Sequence, residues 1–409
     1  MICVGIDWAD EKHDVCIRDL EDRRILSEFE ITNDAEGVAK FEELVSVFGY
    51  ARSEIPVAIE KPDGLLVGYL LQQGYVVYAI NPKSVDRYRD RLHVAGSKTD
   101  KDDAAVLADI LCVDRDYHDP IPDDSALAKE IKAVSRNRQR LVKERTRIEN
   151  QLTACLKKYY PAVLTLFTDL NSSISRAFLC KYPNGRVAEQ ASLEDLKEFF
   201  DEQGYTWMRK VPRIYEQLQA PRIPIPDWQV RTQQQLMLSL VEMLSAVVRQ
   251  IREYEERITE LLEKHEDAFI FRSLPNAADV TAAWILGEIG DCREKFETSS
   301  GMQALAGSCP VTKQSSGTRY VEFRTACCKS FRNAMQQFAR NSTLGKGASS
   351  WARGYLSSQL ERGHSMSRAT RALANRWLSI IFRLWKDRVV YDEKVHLRNR
   401  AQHGLKNPA

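Results

Sequence analysis

The 409-residue chain has no apolar run near the roughly 20 residues that a membrane-crossing helix needs. Its first residues, MICVGIDWADEKHD, lack the basic start and long apolar stretch of a secretory leader. A cytoplasmic protein with no membrane partner is therefore expected. The nine cysteines are odd in number, scattered, and form no Cys-x-x-Cys pair. That speaks against a zinc ribbon and a disulfide framework, and for a reducing compartment. The seven histidines are equally dispersed, so a histidine-built metal centre has no support. Internal repeats and low-complexity segments are absent too, which removes solenoids and arrays.

What is present is a separation of charge. The net charge of +2 hides it. Residues 1–120 carry about 14 Lys/Arg against about 25 Asp/Glu, and residues 319–409 about 18 against about 5. An acidic N-terminal region suits metal binding or plain solubility; a basic C-terminal region suits a polyanionic partner. Composition does not choose between them.

Three domains are expected: 1–120, 121–268 and 269–409. In the first, ICVGID, KHDVCIRDL and RILSEFEIT read as three strands in a meander. AEGVAKFEELVSVF and GLLVGYLLQQ have helical spacing, and PVAIEKP and YVVYAIN read as further strands, which gives a mixed α/β sheet. The break HDPIPDDS (118–125) closes this region. Two long helices follow. In one, Ile131, Val134, Leu141, Ile148, Leu152 and Cys155 keep a 3,4 spacing, with Arg138 and Arg145 in the remaining seam places. In the other, Met237, Leu240, Leu244, Val247, Ile251, Tyr254, Ile258 and Leu261 alternate strictly. The pattern fits a coiled coil, within the chain or between chains, and equally a plain helical hairpin. FRSLPNAADVTAAWILGEIGD, near the start of the last region, fits either a backbone-binding turn or a packed small-residue helix.

The residues with chemistry are carboxylates. Asp7 ends one strand in GIDWA, Glu60 ends another in AIEKP, and Asp100 and Asp103 open a helix three residues apart, on one face. Each alone reads as a turn or cap residue. Together they form an ordered set that tolerates its own charge only with divalent cations. Oxygen-only ligation suits Mg²⁺ or Mn²⁺, and paired metals serve in-line phosphoryl transfer. Asp102, between the helix pair, is expected to face solvent.

VGIDWADEKHDVCI, AIEKP and SKTDKDDAAVLADIL resemble the RuvC-like, RNase H-like domain of the insertion-sequence 110 family of transposases, which includes the pilin-gene invertase Piv. The resemblance implies an Asp-Glu-Asp-Asp metal set at Asp7, Glu60, Asp100 and Asp103. It also implies a nucleophilic serine in the C-terminal region, where this chain reads ALAGSCPVTKQSSGTRYVEF: Ser316, with Ser315 beside it. AGSCP departs from the Gly-Leu-Thr-Pro usual in that family. The fold implied is an N-terminal RuvC-like sheet, a helical coiled-coil middle and a mainly helical transposase domain. The activity implied is DNA cleavage and rejoining through a serine–DNA intermediate. Donor and target DNA would be chosen by a structured bridge RNA, by a dimer or tetramer. Lys313, Arg319, Arg324, Lys329 and Arg332 are expected to contact phosphates, though a basic helix is often only a solvated face.

Three other readings compete. A RuvC-like junction nuclease would use metal-activated water and leave Ser316 structural. A non-catalytic nucleic-acid-binding coiled-coil protein would need none of the four acids. VGIDWADEKHDV is also similar to the first phosphate loop of sugar-kinase-like ATPases, but no Gly-rich adenosine loop or second phosphate loop follows.

Overall fold

Ile2, Cys3, Val4 and Ile6 are all buried, so the first strand is covered on both faces. The computed structural model describes residues 1–62, 64–92, 100–221, 223–315 and 317–402. The chain forms two compact units, Met1–Asp123 and Asp124–Ala409.

Among the described residues of the first unit, five strands form one sheet: β1 (Ile2–Trp8), β2 (Lys12–Asp19), β3 (Ile25–Thr32), β4 (Pro56–Ile59) and β5 (Val76–Ala79). Their order is β3-β2-β1-β4-β5. The meander β1-β2-β3 is antiparallel, and β4 and β5 run parallel to β1. This is the RNase H-like arrangement, and it matches the mixed sheet expected. Helices α1 (Ala35–Ser46) and α2 (Leu65–Gln72) cover one face through Phe41, Val45, Leu66 and Leu70. α3 (Pro82–Leu92) and α4 (Asp100–Asp114) follow. α4 covers the other face, packing Ala104, Leu107, Ala108 and Leu111 against Cys3, Cys16 and Ala58. α3 had no counterpart in the sequence reading.

In the second unit α5 (Ala126–Tyr159) leads to five short helices, α6 to α10 (Val163–Leu166, Ser173–Lys181, Gly185–Gln190, Leu193–Glu202, Val211–Gln219), and then α11 (Asp227–Glu263). α5 and α11 pair antiparallel: Cys155 Sγ donates to the Gln233 carbonyl at 3.3 Å, and Arg138 Nε to Glu255 Oε1 at 3.0 Å, far along both helices. The seam Met237–Leu261 is thus filled by α5 of the same chain. Of the alternatives the heptad left open, the pairing is the one within the chain and not between protomers: Met237, Leu244, Ile258 and Leu261 are already buried within one chain. Arg138, in its seam place, is neutralised by Glu255 rather than by a partner molecule.

The chain continues through α12 (Ala268–Arg272), α13 (Asp279–Ile289), α14 (Ser299–Leu305), the hairpin β6 (Val311–Ser315) and β7 (Thr318–Glu322), α15 (Lys329–Asn341), α16 (Ser350–Glu361), α17 (Met366–Asp387) and α18 (Glu393–Gln402). Ala128 and Ile131 of α5 and Ile258 and Leu261 of α11 share one core with Trp284, Phe331 and Trp377, so that core runs across residue 268. α13 is buried from Ala282 to Ile289, as expected of a packed small-residue helix.

Candidate metal centre and nucleic-acid interface

Strand periodicity places the acids. Side chains two apart on a strand share a face. Cys3, Gly5 and Asp7 therefore lie on the side of β1 that α4 covers. Cys3 Sγ lies 3.5 Å from the Ala108 carbonyl and 3.4 Å from Cys112 Sγ. A methyl group added at Gly5 would overlap the Ala104 carbonyl and stand 3.1 Å from Ala108 Cα. Two residues forward on the strand thus correspond to four residues back on the helix, since both steps cover roughly 6–7 Å. The next step sets Asp7 level with the first turn of α4, which opens at Asp100.

The parallel register brings in the second acid. Ile6 pairs with Ile59, so Asp7 and Glu60 occupy the next places on adjacent strands. Ala58, two before Glu60, packs in the α4 core, which gives Glu60 the same face. Across the antiparallel pair, Asp14 stands opposite Asp7 and shares that face too. Sequence reasoning missed Asp14, although its two-residue step from the buried Cys16 could have shown it.

Asp103 is 5% exposed. Arg89 Nε donates to its Oδ1 at 2.8 Å, and a second guanidinium nitrogen closes on the same oxygen. Asp102 is half-buried rather than fully solvated as expected. The side chain of Asp100 lies outside the described residues. Beside the acids, Lys61 Nζ sits 3.3 Å above the Trp8 ring, the cation on the aromatic face.

The donor set fits a hard divalent cation: carboxylates alone, on two strand ends and a helix start, with no His or Cys among them. Among the described side chains no three such groups stand close enough to hold an ion together.

The expected basic residues lie on the β6-β7 hairpin and just after it. Ser315 pairs with Thr318, and Gly317 adopts a φ of 81°, which favours glycine. Ser316 lies outside the described residues. The hairpin is exposed almost throughout, including Arg319, Tyr320 and Val321. Lys313 is paired with Glu322 at 2.7 Å. Lys329 is exposed at the start of α15. Arg332 is more constrained: it donates to the Arg324 carbonyl at 2.6 Å, and its guanidinium lies 4.5 Å over the exposed Phe323 ring. Gly307 makes room for it, since a Cβ there would stand 2.7 Å from Arg332 Nη2.

Arg371 of α17, which the sequence reading did not single out, meets the same Phe323 ring at 4.5 Å. Burial, then Arg332 and Arg368, hold the Arg371 guanidinium below its ordinary pKa. Two guanidinium groups against one exposed aromatic ring, with Arg368 adding positive charge near Arg371, form a place where an anion relieves repulsion.

Comparison with known proteins supplies the family. Residues 4–161 match a family model described as "Transposase" (DEDD, IS110), and residues 268–355 match one described as "Transposase IS116/IS110/IS902 family". The chain is 31% identical over 400 residues to the "Mini-circle putative transposase for IS117" of Streptomyces coelicolor, covering 95% of each chain. It is 24% identical over 347 residues to the "Insertion element IS110 uncharacterized 43.6 kDa protein" of the same organism, covering 83% of this chain and 81% of that one. A structure of Thermus thermophilus RuvC with a Holliday junction substrate aligns at a TM-score of 0.22 and 18% identity, over 30% of this chain and 99% of that one.

Proposed function

This chain belongs to the IS110 family of transposases, and from that premise we propose how it cleaves and rejoins DNA. The observation that carries the reading is the register of β1 on β4 and of α4 on β1, which sets Asp7, Glu60 and the start of α4 at one end of the sheet. Asp7, Glu60, Asp100 and Asp103 hold divalent metal, Mg²⁺ or Mn²⁺. When bound, it supplies charge neutralisation and Lewis-acid activation at a phosphodiester.

Ser316 is the nucleophile. Its Oγ attacks phosphorus, the bond from phosphorus to the leaving sugar oxygen breaks, the serine proton passes to a base, and the leaving oxygen takes up a proton. The phosphoserine ester keeps the strand attached, so the reverse attack by a sugar hydroxyl rejoins DNA without an external energy source. Serine is a weak nucleophile at its free pKa, which makes an adjacent activator necessary. Arg319, Arg324, Lys329, Arg332 and Lys313 position the phosphate backbone, joined by Arg371 and Phe323. A structured bridge RNA selects donor and target DNA, and the protein acts as a dimer or tetramer. The absence of a zinc finger or a helix-turn-helix signal in the sequence accords with selection by base pairing. A RuvC-like nuclease using water is the second reading, favoured by the four acids, which it shares.

The deciding experiment is a search for a covalent protein–DNA adduct with a substrate carrying the element's ends. Native protein and Ser315→Ala should form it, and Ser316→Ala should not. Cleavage by Ser316→Ala at an undiminished rate would favour water.

A further inference from the structure

Asp103 is a buried carboxylate expected to bind metal, and it is occupied by a protein cation. Arg89 stands on α3 with two nitrogens on Asp103 Oδ1, and its Nη1 reaches Asp86 Oδ1, one turn earlier, at 3.0 Å. The Arg89 side chain is 19% exposed and that of Asp103 8%, so the pair is shielded from water. A carboxylate in that position needs a positive charge beside it, because its hydration has been stripped away. Mg²⁺ or Mn²⁺ ligated by Asp103 would lie about 2.0–2.1 Å from an oxygen. A guanidinium nitrogen already within hydrogen-bond distance of that oxygen competes for the same electron pairs. It also repels a divalent cation at short range.

We propose that Arg89 is the placeholder of the metal centre: it neutralises Asp103 in the metal-free protein and gives the carboxylate up when a divalent cation binds. The inference rests on Asp103 being a metal ligand. Arg89 is a positioning residue in this scheme, not a catalytic one. It lets an acidic site fold before any cation arrives, and it sets metal affinity below what the acids alone would give. The exchange involves no covalent change: one charge-assisted hydrogen-bonded pair is replaced by one coordination bond.

The test uses the full-length protein freed of metal, with Mn²⁺ binding followed by calorimetry and thermal unfolding followed in EDTA and in excess Mn²⁺. Arg89→Gln should bind Mn²⁺ at least about tenfold more tightly, the scale on which one neighbouring charge shifts a carboxylate's cation affinity. It should also unfold at a lower temperature in EDTA, so that its stabilisation by Mn²⁺ exceeds that of native protein. Arg89→Lys keeps the charge without the planar fork and should fall between the two. Adding Asp103→Asn to Arg89→Gln should restore stability in EDTA and remove the gain in Mn²⁺ affinity.

If Arg89→Gln and Arg89→Lys bind Mn²⁺ no better than native protein, the placeholder idea is overturned, whatever their stability. The metal reading fails separately, if native protein binds no Mn²⁺ or if Asp7→Asn leaves its binding unchanged.

Discussion

Gly5 on β1 and Ala104 on α4 meet backbone to backbone, with no room for a side chain between strand and helix. A β-carbon at Gly5 would run into the Ala104 carbonyl and the Ala108 amide. Because Asp7 follows Gly5 by two residues and Asp103 precedes Ala104 by one, this contact sets how far apart two of the acids stand. Gly5→Ala should therefore push α4 away, lowering stability by about 1–3 kcal/mol, the usual cost of overpacking. It should also weaken Mn²⁺ binding. Denaturant unfolding and metal titration of the one variant check both.

The four acids should separate from their neighbour. Asp7→Asn and Glu60→Gln should reduce strand cleavage roughly a thousandfold or more, since several kcal/mol of charge stabilisation go with the metal. Circular dichroism should show the fold retained. Asp102→Asn should stay within a few-fold of native activity. Equal damage from Asp102→Asn and Asp103→Asn in the same cleavage assay would mean that the helix face has been assigned wrongly.

Nucleic-acid binding should depend on Arg371 as well as on the hairpin. Arg371→Gln, Arg319→Gln and Lys329→Gln should each reduce the slope of log affinity against log salt by about one. Phe323→Ala should weaken binding to single strands more than to duplex, because stacking requires an unpaired base. Fluorescence anisotropy across a salt series measures both. Lys313→Gln should do less, since Glu322 already pairs with Lys313.

Glu288 offers a pH test in the second unit. Its carboxylate is 2% exposed and accepts bonds from Arg136 at 2.9 and 2.7 Å, joining α13 to α5. Burial pushes its pKa up, but the bonds from Arg136 and Ser330 outweigh that and hold it below the ordinary carboxylate value. A depressed folded pKa means that the stability is fully present above the unfolded value, near 4.5, and is lost as pH falls through the folded one. Acid unfolding of native protein should steepen below about pH 4.5, and Glu288→Gln should flatten that limb. At neutral pH the variant should lose up to the ~3–5 kcal/mol typical of breaking a buried pair, moderated because Arg136 is partly exposed.

Much of the first unit was legible because its strands are bounded by turns and β1 and β4 are apolar and buried. β2 and β3 show instead as alternating segments, and Asp7 and Glu60 sit at or just past the ends of the apolar runs of β1 and β4. α3 was not legible: NPKSVDRYRDRL is polar, and among its described residues Val85 is the buried apolar one. Arg89 was hidden with it. The β6-β7 hairpin escaped for a related reason, since exposure on both sides leaves no alternation of apolar and polar residues to read. The heptad Met237–Leu261 announced a seam correctly, but a period carries no information about which chain supplies the opposing helix. Arg371 lies 55 residues beyond Ser316, and only folding brings it to Phe323 beside Arg332.

The antiparallel pairing of α5 with α11 also makes part of the chain a cassette. One core lies where the helices meet α13, and a second, built from Tyr160, Phe178, Phe200 and Leu244, lies toward their other end. A helix of 37 residues spans roughly 55 Å, so the two cores share only the helical arm between them. Removing seven residues from α5 and seven from α11 at matched heights would shorten that arm by about 10 Å and keep the seam in phase. Removing seven from one helix alone would leave the other unopposed. Length variation among related chains should therefore come in paired insertions and deletions in the arm, between the two cores, while the segment 160–226 stays matched to the helix ends it packs on, Ile148–Tyr159 and Met237–Leu244.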